Sequence, residues 1–374
     1  MTKPFNIVVL WLMDYDGNGL LTGGLERWCR DLAYFVQSKG YDVTIYQKAN
    51  KSFLKNLTDS VKVVGVPCSL RFHGNWQLSH WLEPNTDIEA PFVFVSQEIA
   101  LSKKIRRAVA VNHGIWWDGD YPGYKKWLNK KVQYKLLMRL RGVICVDTNY
   151  INWCHAELRN REKWQHKLFY VPNYADLELF PPNDKLPQKH EELIILFPRR
   201  IPEDNLWRQG RGAGLLLKTA EILYRRGIKL RLLFAGRGQL QGPIREWAIQ
   251  HNMAENVETF EVSLDEMPAV YARADVVVIP SIAHEGTSFS AIEAIVSGKS
   301  TVVSHIGGLA NIVIDGLNGY ICDPTPDSLA NAIGRAIQTN VLSNPVILGA
   351  CRNSLSKERW KKQIWNILVN FLEL

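Results

Sequence analysis

At 374 residues the chain exceeds one ordinary domain, and 46% apolar with 22% charged residues is the balance of a globular protein. No apolar run approaches the ~18 residues needed to span a bilayer, and the net charge of +8 favours acidic partners: nucleotide-sugars, anionic membrane or nucleic acid. Six scattered cysteines (Cys29, Cys68, Cys145, Cys154, Cys322 and Cys351) lack C-x-x-C spacing, so free thiols in a reducing cytoplasm are expected in place of disulfides or a metal site.

In chain order, the apolar stretch Asn6 to Leu12 reads as a first core strand. Asp14 and Asp16 follow the apolar run Ile7 to Met13 at once without a small-residue cleavage site, which argues against a secretory leader. Gly17 to Gly24 is a glycine-rich loop. From Leu25 the residues Trp28, Cys29, Leu32, Phe35 and Val36 trace one face of a helix that Gly40 ends. Further strands are predicted at 43–46, 61–66, 92–96, 108–112, 142–146 and 168–171, an alternation that implies βαβ units and a mostly parallel sheet. Residues 176 to 192 carry three prolines and many charges, and read as a linker. A second series follows, with strands at 193–197, 230–235, 257–260, 276–279, 301–304 and 319–322 and a helix through 215–224. The tail from Glu358 is an amphipathic helix carrying Trp360, Ile364, Trp365, Leu368, Val369 and Leu372.

The stretch from Ala274 to Lys299 carries the chemistry. A strand-length apolar run leads into a polar loop with His284 and Glu285, and a helix is predicted from Thr287 with Gly298 as its stop. Glu285 and Glu293 stand eight residues apart, roughly 12 Å if helical. That suits the reach from the sugar ring of a nucleotide-sugar to its ribose. The small residues Gly286, Thr287 and Ser288 at the helix start suit an anionic diphosphate. Arg199 and Arg200 close a strand, and Arg208 and Arg211 follow. Fixed guanidinium groups there stabilise a departing diphosphate as its charge grows; a solvated basic loop is the bland alternative. Gly23-Gly24 before a helix and Gly236-Arg237-Gly238 after a strand each permit close backbone approach to a phosphate, and each is also what a plain turn contains. His113, after a strand, is either a structural histidine or a hydrogen-bonding partner of a donor sugar. Asp14-Tyr15-Asp16 and Asp118-Gly119-Asp120 have the D-x-D spacing that elsewhere holds a divalent cation; hydrogen bonds to acceptor hydroxyls are the preferred expectation here. Residues 101–141 contain eleven Lys or Arg against only Asp118 and Asp120. Lys131, Lys135 and Arg139 form one stripe of a helix that also carries Trp127 and Leu128, a pattern suited to an anionic membrane surface or to an ordinary solvated face. No recognised nucleic-acid-binding motif accompanies the charge, so nucleic acid is not an expected partner.

Taken together these pieces resemble the retaining glycosyltransferases of family 4, along nearly the whole chain. The most specific part is E-x7-E, Glu285 to Glu293 in HEGTSFSAIEAIVSGK. Supporting pieces occur in the family's order: Gly23-Gly24-Leu25-Glu26, His113-Gly114, Pro172-Asn173, Arg200, Gly236-Arg237-Gly238, Tyr271-Ala272-Arg273-Ala274-Asp275, Gly307-Gly308 and Asp315-Gly316-Leu317-Asn318-Gly319. The resemblance implies the GT-B fold, two Rossmann-like doubly wound domains facing each other across a cleft. It implies that Glu293 binds the ribose, that Glu285 holds the donor sugar, that Arg200 and a second cation neutralise the diphosphate with backbone amides near Gly24 and Thr287, and that His113 touches the sugar. It implies no metal and no cofactor. Two departures stand out. Arg211-Gly212 sits where the family has Lys-Gly, with Arg208 a rival second cation, and Asn311 sits where the family often has Glu.

The expected architecture is an acceptor domain over 1–180, onto which the helix 358–374 packs back, and a donor domain over 181–357. The expected activity is transfer of a sugar from a nucleoside diphosphate to an acceptor hydroxyl of a glycan or lipid-linked glycan, with retention, in cell-envelope or polysaccharide synthesis. Glu285, Arg200, Arg211 and His113 carry the reaction. Gly23, Gly24, Arg208, Gly236, Gly238, Gly286, Thr287, Ser288 and Glu293 bind the donor, and Asp14, Asp16, Asp118 and Asp120 meet the acceptor. The expected location is the cytoplasm, peripheral at the inner face of the membrane through residues 101–141. The alternatives are a nucleotide-sugar epimerase of the same fold and a non-catalytic basic binding module.

Overall fold

The computed structural model describes residues 3–71, 73–115, 123–158, 162–182, 192–200, 206, 210–239 and 241–374. The chain divides into two compact units, Met1–Val171 with Lys361–Leu374, and Pro172–Trp360. The divide expected at residue 180 falls instead at Val171/Pro172, because residues 172–182 make their contacts within the second unit. Ala175 N donates to Leu355 O at 2.8 Å, and Phe180 is fully buried and edge-on to Tyr271. Of the stretch read as a linker, 183–191 lies outside the described residues.

The first unit runs β1 (Lys3–Val9), α1 (Gly24–Gln37), β2 (Tyr41–Ala49), β3 (Phe53–Thr58), β4 (Val61–Pro67), α2 (His73–Asn85), β5 (Phe92–Phe94), β6 (Ala108–Asn112), α3 (Gly123–Arg139), β7 (Gly142–Cys145), α4 (Asn149–Glu157) and β8 (Leu168–Tyr170). Its eight-stranded sheet has the order β3-β4-β2-β1-β5-β6-β7-β8. The pairing is parallel throughout except β3, which adds antiparallel to β4. Helix α1 buries Trp28, Cys29, Leu32, Ala33 and Val36, the face its periodicity predicts. The first strand ends sooner than the apolar run suggests. Beyond Val9 the ladder gives way, and the Gln47 side chain accepts Leu12 N at 3.0 Å and Met13 N at 2.7 Å in its place.

The second unit runs β9 (Leu193–Phe197), α5 (Ala213–Arg225), β10 (Leu230–Ala235), α6 (Gln241–Gln250), β11 (Val257–Phe260), α7 (Met267–Arg273), β12 (Val276–Ile279), α8 (Phe289–Val296), β13 (Ser300–Ser304), β14 (Tyr320–Cys322), α9 (Pro326–Gln338) and α10 (Pro345–Ser354). All six strands are parallel in the order β11-β10-β9-β12-β13-β14. This is the Rossmann order, whose direction of winding reverses between β9 and β12. Both faces are covered, one by a core around Leu216, Phe234 and Ile333, the other by a core around Tyr271, Ile292 and Leu309.

The last helix, α11 (Lys357–Leu372), begins in the second unit and ends in the first. Within the first unit Ile364, Leu368 and Leu372 are fully buried, Trp365 lies edge-on to Phe35, and Phe371 packs on Phe169. Its last carbonyls are capped by two arginines. Arg107 Nε donates to Leu372 O at 2.5 Å and Nη2 to Glu373 O at 2.6 Å, while Arg141 Nη1 reaches Phe371 O at 3.2 Å.

Candidate functional site

In an open parallel sheet, ligands bind beyond the carboxyl ends of the strands where the winding reverses. In the second unit that point lies between β9 and β12. The chain leaving β9 delivers Arg199 and Arg200; the chain leaving β12 delivers Ser281 to Gly286. Adjacent residues of an extended chain project to opposite sides. Arg199 accordingly turns inward and is 4% exposed, whereas Arg200 is exposed to solvent.

Arg199 and Glu285 form the centre of the site. Arg199 Nη2 donates to Glu285 Oε2 at 2.6 Å, and its Nη1 donates to Ser281 Oγ at 2.5 Å. Ser281 Oγ in turn donates to Glu285 Oε2 at 3.0 Å. The loop carrying Glu285 is fixed on two further sides. Gly308 N donates to Glu285 O at 2.7 Å. Gly307 permits this approach: its φ is +57°, and a side-chain carbon there would lie 2.0 Å from Glu285 O. On the other side Ile282 N donates to Gly210 O at 2.9 Å, which brings the Arg211 segment alongside. Arg211 makes no hydrogen bond or ion pair with another described residue. Its pKa is lowered to about 10, first by burial and then by the charge of Arg199, with Glu285 opposing. It stays protonated at neutral pH. Arg200 likewise has no partner among the described residues.

Behind this centre lies α8. The predicted start at Thr287 is corrected to Phe289: Ser288 is extended (φ −67°, ψ 126°), and Thr287 is held by Asn173. Asn173 N donates to Thr287 Oγ1 at 3.0 Å and Asn173 Nδ2 to Thr287 O at 2.6 Å. Glu285 therefore stands in a loop, and its spacing from Glu293 is not a helical rise. Glu293 is buried inside the helix, where the Tyr271 hydroxyl meets its Oε2 at 3.0 Å. Gly286 is half-buried at the loop's end. Gly236 sits flush against the Arg199 carbonyl, 2.0 Å from where a side-chain carbon would be, so the turn carrying Gly238 packs on the same strand end. Arg237 points away and pairs with Glu261 at 3.1 Å.

The remaining predicted residues, Arg208 apart, belong to the first unit. Gly23 is the extended residue before α1 and Gly24 its first residue, at the carboxyl end of β1. His113, at the end of β6, lies edge-on to Trp28 with ring centroids 5.8 Å apart. Burial pulls its pKa down to about 4, against a hydrogen bond to the Val95 backbone that raises it, so the ring is neutral at pH 7. Its Nε2 has no hydrogen-bond partner among the described residues. Asp14 closes its own loop: the carboxylate accepts Asp16 N at 3.0 Å, Asn18 N at 2.9 Å and Gly19 N at 2.8 Å, and these bonds hold its pKa below the usual value. Asp16 accepts Asn50 Nδ2 at 3.2 Å. Arg208, Asp118 and Asp120 lie outside the described residues. Among the described residues no three His, Cys, Asp or Glu side chains converge as a metal-binding group, and the six cysteines are unpaired.

Sequence alone does not show which of Arg199 and Arg200 turns inward, the part Ser281 plays in the site, or the burial of Asp147 in the first unit. Arg199 was visible as part of an Arg-Arg pair, but nothing in the pair tells which side chain turns inward. Ser281 carried no signal at all. Asp147, at the end of β7, is 1% exposed with its Oδ2 unpartnered among the described residues. Burial raises its pKa to about 6, against hydrogen bonds from the Asn149 and Tyr150 backbone.

Comparison with known proteins places these features among relatives. The chain is 25% identical over 266 residues to a putative glycosyltransferase, EpsF, of Bacillus subtilis, a match covering 71% of this chain and 64% of that protein. The chain thus spans just under two thirds of that relative's length, and less than half of the next curated relatives it matches. Among solved structures, sucrose-phosphate synthase from Thermosynechococcus elongatus superposes with a TM-score of 0.75 at 16% identity, covering 99% of both chains. Anabaena HepE in complex with UDP-glucose gives 0.69 at 17% identity, covering 98% of this chain and 99% of that one. The two-sheet architecture is the GT-B fold. Residues 183–347, which hold the Arg199, Arg211, Glu285 and Glu293 cluster, match the family model described as glycosyl transferases group 1.

Proposed function

We propose that this protein is a retaining glycosyltransferase that moves a sugar from a nucleoside diphosphate to an acceptor hydroxyl. One observation carries the reading: at the switch point of a Rossmann sheet, a half-buried guanidinium that makes no ion pair among the described residues, Arg211, stands beside a carboxylate already paired with Arg199. Free positive charge there suits a diphosphate, and Arg200 adds to it. Glu293 receives the ribose hydroxyls and Glu285 the hydroxyls of the sugar, with the amides near Thr287 as further contacts. The UDP-glucose complex of the fold neighbour HepE supports a nucleotide-sugar as donor.

In the proposed reaction the bond between the anomeric carbon and the β-phosphate oxygen breaks as the acceptor oxygen bonds to the same face of that carbon. The acceptor proton passes to the departing phosphate oxygen. The protein positions the reactants and stabilises growing charge, with Arg211 and Arg200 most engaged when the diphosphate leaves. No metal and no cofactor enter this scheme.

The acceptor is proposed to be a glycan or lipid-linked glycan of envelope or polysaccharide synthesis, met at an anionic cytoplasmic membrane surface. The first turns of α3 favour this. Tyr124, Trp127 and Leu128 are 69%, 57% and 53% exposed among lysines, with Lys131 Nζ 3.7 Å from the Trp127 ring. No helix among the described residues is long and apolar enough to cross a membrane.

Thermal-shift screening against nucleoside diphosphates and nucleotide-sugars tests the donor reading, since stabilisation follows affinity. At least one donor should stabilise the protein, and Glu285→Gln should cut its turnover by about 100-fold or more. Stabilisation by no member of a broad panel would remove the reading. Isomerisation of the donor without any acceptor would replace it with an epimerase.

A further inference from the structure

We propose that Arg199 is a positioning residue: it ties Glu285 down through Oε2 and leaves Oε1 as the oxygen that meets the donor. This rests on the donor reading above and assigns a task to a residue that reading does not need. Both hydrogen bonds that reach the Glu285 carboxylate from described residues end on the same oxygen, Oε2, from Arg199 Nη2 at 2.6 Å and Ser281 Oγ at 3.0 Å. Oε1 accepts from no described residue, and the side chain keeps 15% of its surface open to solvent. Arg199, by contrast, is 2% exposed along its side chain and both of its terminal nitrogens are engaged. It is neither free nor reachable as a diphosphate ligand.

The arrangement divides three arginines into two tasks. Arg200 and Arg211 have no partner among the described residues, while the charge of Arg199 is matched by Glu285. Without Arg199 the Glu285 carboxylate would face Arg211, whose charge already acts on it. The carboxylate would then turn to that cation and be lost to the sugar. Arg199 therefore prevents a wrong ion pair as well as making a right one. Ser281 supports this by accepting from Arg199 and donating to Oε2, so that the triad closes on itself.

The test uses the full-length protein with whichever donor the wild type turns over, together with the matching free nucleoside diphosphate. Arg199→Met should lower kcat by about 100-fold while the affinity for the nucleoside diphosphate changes less than about tenfold. Arg199→Lys keeps the charge but loses the fork and should fall between the two. Ser281→Ala removes one bond to Oε2 without altering charge, and should cost roughly tenfold in kcat. In Arg199→Ala, added ethylguanidinium should restore activity in a saturable way, a response that a purely structural role does not give. Arg199→Met turning over donor within about threefold of wild type overturns the proposal and leaves the donor reading standing. So does loss of nucleotide affinity equal to the loss of kcat. If Arg199→Met does not fold, the outcome rests on Ser281→Ala and Arg199→Lys, and unchanged kcat in both overturns the proposal. A wild type that neither binds a nucleoside diphosphate nor consumes any donor removes both readings.

Discussion

Tyr271 and Glu293 come from different helices of the second unit, and the phenol of one meets Oε2 of the other at 3.0 Å inside the protein. The same hydroxyl lies 3.1 Å from Ser290 O, at the start of the helix that carries Glu293. Glu293 is thus oriented by a residue outside the loop of Glu285. Tyr271→Phe removes this contact with almost no change of shape. It should weaken nucleotide binding by about threefold to tenfold and leave kcat at saturating donor within about twofold of wild type. Calorimetric titration with the free nucleoside diphosphate checks this, and unchanged affinity would separate Glu293 from the nucleotide.

His113 and Asp147 should make stability depend on pH with opposite signs. Burial lowers the His113 pKa from 6.5 to about 4, so its contribution is complete above pH 6.5 and is lost as pH falls through 4. Burial raises the Asp147 pKa from 3.8 to about 6, so its contribution is complete below pH 3.8 and is lost as pH rises through 6. Each is worth about 3 kcal/mol by linkage, and between roughly pH 4 and 6 they largely cancel. His113→Gln should therefore lose stability as pH rises across that window, and Asp147→Asn should gain it. Urea midpoints at intervals of pH measure the slopes. Identical slopes in both variants and wild type would mean that neither group is held as described.

The exposed start of α3 gives a prediction about membranes. The protein should float with vesicles containing phosphatidylglycerol at low salt, and Trp127→Ala with Leu128→Ala should reduce the bound fraction by about tenfold. Raising ionic strength to about 0.5 M should release the wild type, since the lysines act over a Debye length. Failure of the wild type to float at low salt would discard the membrane as partner.

Arg107 holds the final carbonyls of α11 through two donors. Arg107→Ala should cost about 1 kcal/mol and make the last turn of α11 exchange its amide hydrogens faster. Hydrogen exchange followed by mass spectrometry would show this in the C-terminal peptide. Nucleotide binding should not change, because none of these groups touches the second unit's site.

The parallel sheets were legible from the alternation of apolar runs and helical faces, and several strands, among them Ala108–Asn112 and Val276–Ile279, lie where the pattern puts them. The edge strand Phe53–Thr58 was not, because none of its residues is buried and they carry no apolar alternation. At the site, type and order of residues pointed to a donor-binding loop, but contacts did not follow. Whether Arg199 or Arg200 reaches Glu285 depends on which way the chain faces on leaving β9, and two identical neighbours cannot encode that in composition. The start of α8 moved because Asn173, more than a hundred positions away in sequence, takes the hydrogen bonds of Thr287. Asp147 passed unnoticed since one aspartate after a strand is unexceptional until its burial is known.

The two units also differ in when they can be finished. Everything in the second lies between Pro172 and Trp360, whereas the first waits for Lys361–Leu374 to cover Ile364, Leu368 and Leu372 against its own residues. The second unit is therefore synthesised in full before the first is. The early part must hold an uncovered apolar face through the synthesis of the whole second unit, a period in which it is a natural client for a chaperone.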